Sequence, residues 1–130
     1  MTNAIDYSVK KALLVEDNEM NVKLFSLLLK RIGIGFDTAM QGDDALELFN
    51  ANHYDIILTE INLPKLSGDA LARLIRENSD SIKANTPIIA LTASILTSET
   101  ATYLNAGINE VLIKPFTEEK FKSLLHQYLS

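Results

Sequence analysis

The stretch 54–68, YDIILTEINLPKLSG, joins an apolar run, an acid at its tip and a loop that must turn sharply. Ile56, Ile57 and Leu58 are short and rich in β-branched residues, the pattern of a strand covered on both faces in a parallel sheet. That strand ends on Glu60. Pro64 bars a continuing helix, and Ser67 and Gly68 offer turn chemistry before helical spacing resumes at Leu71, Leu74 and Ile75. A carboxylate is therefore expected at the carboxyl end of a central strand.

Working upstream, 12–15 reads as a second buried strand. Glu16, Asp17 and Asn18 follow it and can cap a helix from about Glu19 to Ile32, with Leu24, Phe25, Leu28 and Ile32 at helical spacing. Gly33 and Gly35 close that helix and start a weaker strand over 34–39. Gly42 and Asp43 open another helix, which carries Ala45, Leu46, Leu48 and Phe49. Downstream, 78–86 is a polar loop, and Pro87 starts a strand over 88–91 with Thr92 directly after it. The helical pattern of 97–106 is weak, since four of its residues are Thr or Ser, and the most mobile helix is expected there. Gly107 stops it, 111–113 is a last strand, and Lys114-Pro115 leads to a closing helix. In that helix Phe121, Leu124, Leu125 and Tyr128 fall at i, i+3, i+4 and i+7, a stripe that reads as core. Residues 1–10 are polar and without period, a tail or linker, which leaves 11–130 as the domain.

Five strands alternating with five helices imply a parallel sheet with helices on both faces. In such folds ligands bind beyond the carboxyl ends of the strands, where strand order reverses. Order 2-1-3-4-5 makes the second strand an edge and places the first and third together at that reversal. The tips then carry Glu16 and Asp17, Glu60, Thr92 and Lys114, whereas the second strand ends on Ala39 and Met40 with nothing reactive. Three carboxylates without histidine or cysteine nearby make a hard-oxygen site suited to Mg²⁺. A lysine and a hydroxyl across from them can hold phosphoryl oxygens, which together describes phosphoryl transfer onto a carboxylate. Each residue also has a plainer role: Asp17 and Asn18 as helix caps, Glu60 as a turn acid, Thr92 as a strand-end hydroxyl, Lys114 as a snorkelling surface lysine. Their joint placement on four strand ends outweighs those separate roles. His53 and His126 read as solvated surface residues.

Composition narrows the classes. A chain of 130 residues, 47% apolar, can bury one ordinary core and has no room for two independent domains. It has no cysteine, which rules out disulfides and thiolate metal sites and suits a reducing cytoplasm. The first residues, MTNAIDYSVKK, lack the apolar core of a signal peptide, and no apolar run approaches the roughly 20 residues needed to span a bilayer. No membrane contact is therefore expected. A net charge of −5 opposes nucleic-acid binding and favours protein partners or cations.

LLVEDN, DIILTEINLPKLSG, PIIALTA and KPF, in this order and spacing, resemble the receiver domain of response regulators in two-component phosphorelays, over about 11–128. EDNEMN is especially similar to receivers fused to hybrid histidine kinases. The resemblance implies a flavodoxin-like fold, Mg²⁺ held by Glu16, Asp17, Glu60 and the backbone at Asn62, phosphate contacts from Thr92 and Lys114, and a cis Lys114-Pro115 bond. It also implies a histidine kinase or histidine phosphotransfer domain as partner, a fused kinase or output domain, and pairing of two copies through the helix at 97–106 and the last strand.

Two positions depart from the family. Its acceptor is an aspartate, and here it is Glu60, longer by about 1.5 Å at most, one carbon–carbon bond. A misplacement of about 1 Å can cost roughly a hundredfold in rate. Glu60 is thus expected to be a poor acceptor, or to reach Lys114 and imitate a phosphorylated aspartate with one charge in place of about two. Val111 stands where the family often has a switching aromatic. The expected function is a phosphorelay receiver, and the alternative is a phosphorylation-independent interaction module of the same fold. An enzyme such as a phosphatase or a flavodoxin ranks last, for want of a GxxxxGK loop, a DxD pair or a Ser/Thr-rich phosphate loop.

Overall fold

A computed structural model describes residues 5–93 and 97–130, with backbone only at 97–100. Each expected strand forms: β1 (Lys11–Val15), β2 (Gly35–Ala39), β3 (Ile56–Thr59), β4 (Ile88–Thr92) and β5 (Glu110–Ile113). They make one parallel sheet in the order β2-β1-β3-β4-β5. The helices are α1 (Glu19–Ile32), α2 (Gly42–Ala51), α3 (Gly68–Arg76), α4 (Ser81–Ala84), α5 (Thr97–Asn105) and α6 (Glu118–Leu129), after a 3-10 turn at Tyr7–Val9. No described helix is long and apolar enough to cross a membrane.

Two features add to the expected pattern. The polar loop 78–86 contains α4, a single turn that the side chain of Asp80 caps by accepting from the backbone N–H of Ile82 at 2.9 Å. The helix count among the described residues is therefore six, where the alternation alone predicts five. Residues 5–10 are also more than a tail. Asp6 caps the 3-10 turn, and Ile5 and Tyr7 pack against the core beside α6. Two apolar contacts are too few to leave a period in the sequence.

The apolar strands are continuous because each face of the sheet is covered, and successive residues point to opposite faces. Ala12, Leu14, Ile56, Leu58, Ile89 and Leu91 meet Phe25 and Leu29 of α1 and Phe121 and Leu125 of α6. Leu13, Val15, Ile57, Ile88 and Ala90 meet Ala45 and Phe49 of α2 and Leu71 and Ile75 of α3. Register then sets the tips. Val15 lies opposite Thr59, Thr59 opposite Ala90, and Ala90 opposite Val111, so the residues just past this row come out on one edge.

The helix ends follow local chemistry. Asn18 caps α1 by accepting from the backbone N–H of Asn21 at 3.0 Å, and Gly33 ends it at φ 91, a left-handed conformation that glycine adopts freely. Ser67 and Thr117 cap α3 and α6 in the same way as Asn18. Between β3 and α3 the chain folds back on itself, with the backbone N–H of Gly68 donating to Ile61 O at 2.8 Å. A methyl group on Gly68 would overlap the carbonyl oxygen of Glu60, and one on Gly42 would overlap that of Leu66. Both glycines let this loop close against its neighbours. Gly68→Ala is expected to lower stability by about 1–3 kcal/mol, the usual cost of overpacking. Urea unfolding would measure it, and a wild-type midpoint would show that the loop yields at no cost.

Candidate functional site

The site is the carboxyl edge of the sheet where β1 and β3 lie side by side. Glu16 follows β1, its backbone N–H donating to Ala39 O at 3.0 Å, and its side chain is buried at 1% exposure. Glu60 follows β3, its N–H donating to Val15 O at 2.9 Å, and is 7% exposed. Lys114 follows β5 through a backbone N–H that donates to Thr92 O at 2.7 Å. The parallel ladder therefore carries three residues that are distant in sequence to one place.

Lys114 joins the two acids. Its Nζ donates to Glu16 Oε2 at 2.8 Å and lies 3.1 Å from Glu60 Oε2. The second contact is a close ion pair without hydrogen-bond alignment, so among the described residues no donor points well at the buried Glu60 Oε2. Glu16 Oε1 accepts a longer bond from the backbone N–H of Asn18 at 3.3 Å. Burial raises the Glu60 pKa above its ordinary value. Lys114 and the backbone N–H of Asn62 pull it down and the Glu16 charge pushes it up, but desolvation is the largest effect. Burial would lower the Lys114 pKa, but the two carboxylates outweigh it and hold the ammonium above the ordinary lysine value.

Of the residues singled out in the sequence, Glu16, Glu60 and Lys114 meet in one cluster, and Thr92 is buried beside it on the strand end that holds the Lys114 backbone. Asp17 and Asn62 lie at the surface. Among the described residues no three acidic or histidine side chains are arranged as a ready metal cage. The donors nevertheless suit a hard cation: they are all oxygens, and one buried carboxylate oxygen lacks an aligned partner. Lys114-Pro115 is cis. Val111 is half-buried against the α2–α3 layer. His53 is exposed and lies 3.4 Å from Asp55 Oδ1, and His126 is exposed on α6.

The aromatic floor of the site was not among the residues singled out for function. Lys114 Nζ stands 5.6 Å from the centroid of the Phe25 ring, which stacks on Phe116, which in turn stacks on Phe121. The helical spacing of 24–32 marks Phe25 as core but carries no hint of a lysine above its ring.

Comparison with known proteins places this geometry in a family. The model of the response regulator receiver domain matches residues 12–126. The transcription factor SKN7 of Saccharomyces cerevisiae is 35% identical over 90% of the chain, and the aerobic respiration control sensor protein ArcB of Escherichia coli is 35% identical over 89%. The chain spans only 18% and 15% of those two proteins. Among solved structures, the receiver domain of the sensor histidine kinase PA1611 from Pseudomonas aeruginosa has 32% identity and a TM-score of 0.85, covering 92% of this chain and 97% of that one. It holds a magnesium ion coordinated in its active site cleft. The chemotaxis response regulator CheY4 of Vibrio cholerae has 27% identity and a TM-score of 0.84, covering 92% and 98%.

Removing the ammonium would leave two buried carboxylates without a counter-charge. Lys114→Met is expected to cost on the order of 3 kcal/mol at neutral pH, as breaking a buried pair from one side does. Because the Glu60 pKa is raised, ionisation of that group opposes folding above pH 4.5, and the deficit should shrink as pH falls towards that value. In the unmodified chain the lysine's contribution holds up to pH 10.5 and is lost as pH rises through its higher folded value. Urea unfolding across pH checks both limbs, and a pH-independent difference would contradict them.

Proposed function

The chain belongs to the response regulator receiver family, and on that premise we propose that it relays a signal in a two-component phosphorelay with Glu60 at the acceptor position, acting as a partial mimic of the phosphorylated state. The observation that carries the reading is the contact between Lys114 and Glu60 at 3.1 Å. In phosphoryl transfer onto a carboxylate, the lysine offsets charge on the incoming phosphoryl oxygens. Here the longer side chain of Glu60 already reaches the ammonium.

The charge of the site supports the same reading. Glu60 brings one negative charge where a phosphoryl group brings about two, so the imitation is incomplete. Its carboxylate is buried and lies 3.1 Å from the Lys114 ammonium, the cation that would otherwise meet phosphoryl oxygens. Glu16, Asp17, Glu60 and the backbone carbonyl of Asn62 are the groups that would hold Mg²⁺, the ion coordinated in the Pseudomonas relative. A bound Mg²⁺ supplies Lewis-acid neutralisation of phosphoryl oxygens. Thr92 would supply a hydroxyl, and Lys114 a cation in direct contact with Glu16 and Glu60.

The partner in this reading is a histidine kinase or a histidine phosphotransfer domain, as the likeness to ArcB suggests. A kinase or output domain fused to the receiver fits the small share of the relatives that the chain spans. The cysteine-free chain suits the reducing cytoplasm where such kinases act. A second reading, an interaction module indifferent to phosphorylation, is favoured by one further observation: Val111 offers no ring to swing when the site changes state.

Incubation with Mg²⁺ and a small acyl phosphate, followed by intact mass, separates these roles. Glu60→Asp is expected to gain a phosphoryl adduct. The unmodified chain is expected to gain none, or to label about a hundredfold more slowly, the scale of a 1 Å misplacement. Equal labelling of the two would remove the mimic reading and make Glu60 an ordinary acceptor. Partner affinity that is the same in the Glu60→Asp chain with and without donor would favour the interaction module.

A further inference from the structure

Phe25 lies in α1, 2% exposed, with its ring facing the ammonium of Lys114 at 5.6 Å from centroid to Nζ. Its other contacts form a column. The Phe25 and Phe116 rings stack at 5.5 Å with 13° between their planes, and Phe116 and Phe121 stack at 5.6 Å with 8°. The column runs from the floor of the site to α6 and ties together α1, the loop after β5 and α6. A cleft of about 490 Å³, lined in part by Leu24, Leu28 and Phe116, opens along one side of it. Core packing buries Phe25 and Phe121, and the half-buried Phe116 ring bridges them by stacking on both.

The ammonium needs such a surface. Among the described residues it has one well-aligned bond, to Glu16 Oε2, while its contact with Glu60 Oε2 is near but poorly directed. An aromatic face within about 6 Å attracts a cation through the ring quadrupole, and does so more strongly where water is excluded. An aliphatic side chain of similar size would fill the same space without that attraction.

We propose that Phe25 is a positioning residue for the site: its ring face fixes the Lys114 ammonium between Glu16 and Glu60, and the stack on Phe116 and Phe121 fixes the plane of the ring. The geometric part stands by itself. Its consequence for phosphoryl chemistry rests on the reading of Lys114 as the lysine that meets the phosphoryl group.

The test has two arms. By NMR, the ε-methylene protons of Lys114 in the unmodified chain should resonate upfield of ordinary lysine, because they sit over a ring. The shift should vanish in Phe25→Leu and persist in Phe49→Leu, a matching cut in the core layer on the other side of the sheet. In the Glu60→Asp background, Phe25→Leu should slow acyl phosphate labelling on the order of tenfold, the scale of one desolvated cation–ring contact, while Phe49→Leu leaves the rate unchanged. An ordinary Lys114 shift in the unmodified chain would overturn the proposal without any variant. So would an upfield shift that survives Phe25→Leu or is lost equally in Phe49→Leu. Should the Glu60→Asp chain take no label at all, the receiver chemistry fails, and the NMR arm still decides the positioning role.

Discussion

One ammonium and two buried carboxylates hold the functional edge of this molecule together. Lys114 Nζ lies within 3.1 Å of both Glu16 and Glu60, which come from strands that are neighbours only because β1 sits between β2 and β3. The register of the parallel ladder brings those strand tips level, and the cis Lys114-Pro115 bond lies directly after the lysine. Both acids are buried out of water beside each other, a placement that costs unless a counter-charge is present. The lysine is what makes the pair tolerable. It is also what links the site to β4 and β5, the side of the sheet away from β2.

A glutamate at the acceptor position changes the logic of a receiver site. In the reading proposed above, Glu60 brings a single negative charge to the Lys114 ammonium, 3.1 Å away, where a phosphoryl group would bring about two.

Much of this was legible in the residues. Strands β1, β3 and β4 betray themselves through continuous apolar runs, because both faces of the sheet are covered, and Glu16 and Glu60 stand out as charges at the ends of two of them. The expected order β2-β1-β3-β4-β5 is the one that brings the polar tips together and leaves the unreactive end at Ala39 and Met40 on the edge. What stayed hidden depends on contacts without a period. Arg76 donates to the carbonyls of Ala84, Thr86 and Gly107 and to Asn109, pinning two loops at the far end of the sheet. Lys83 does the same for the carboxyl end of α2 through Phe49 O and Asn52 O. Neither residue differs in pattern from a solvated surface cation. The docking of Ile5 and Tyr7 and the ring of Phe25 under Lys114 were hidden for the same reason: each is a single long-range contact. Asp17 and Asn18 are adjacent and similar, yet Asn18 caps α1 while Asp17 faces solvent.

The link between Lys114 and Glu60 is tested most directly by a double-mutant cycle with Lys114→Met and Glu60→Gln, reading unfolding free energy in urea at neutral pH. A pair in contact within a buried network should show a coupling of about 0.5–3 kcal/mol between the two changes. Additivity within about 0.3–0.5 kcal/mol, as found for sites that do not touch, would contradict it.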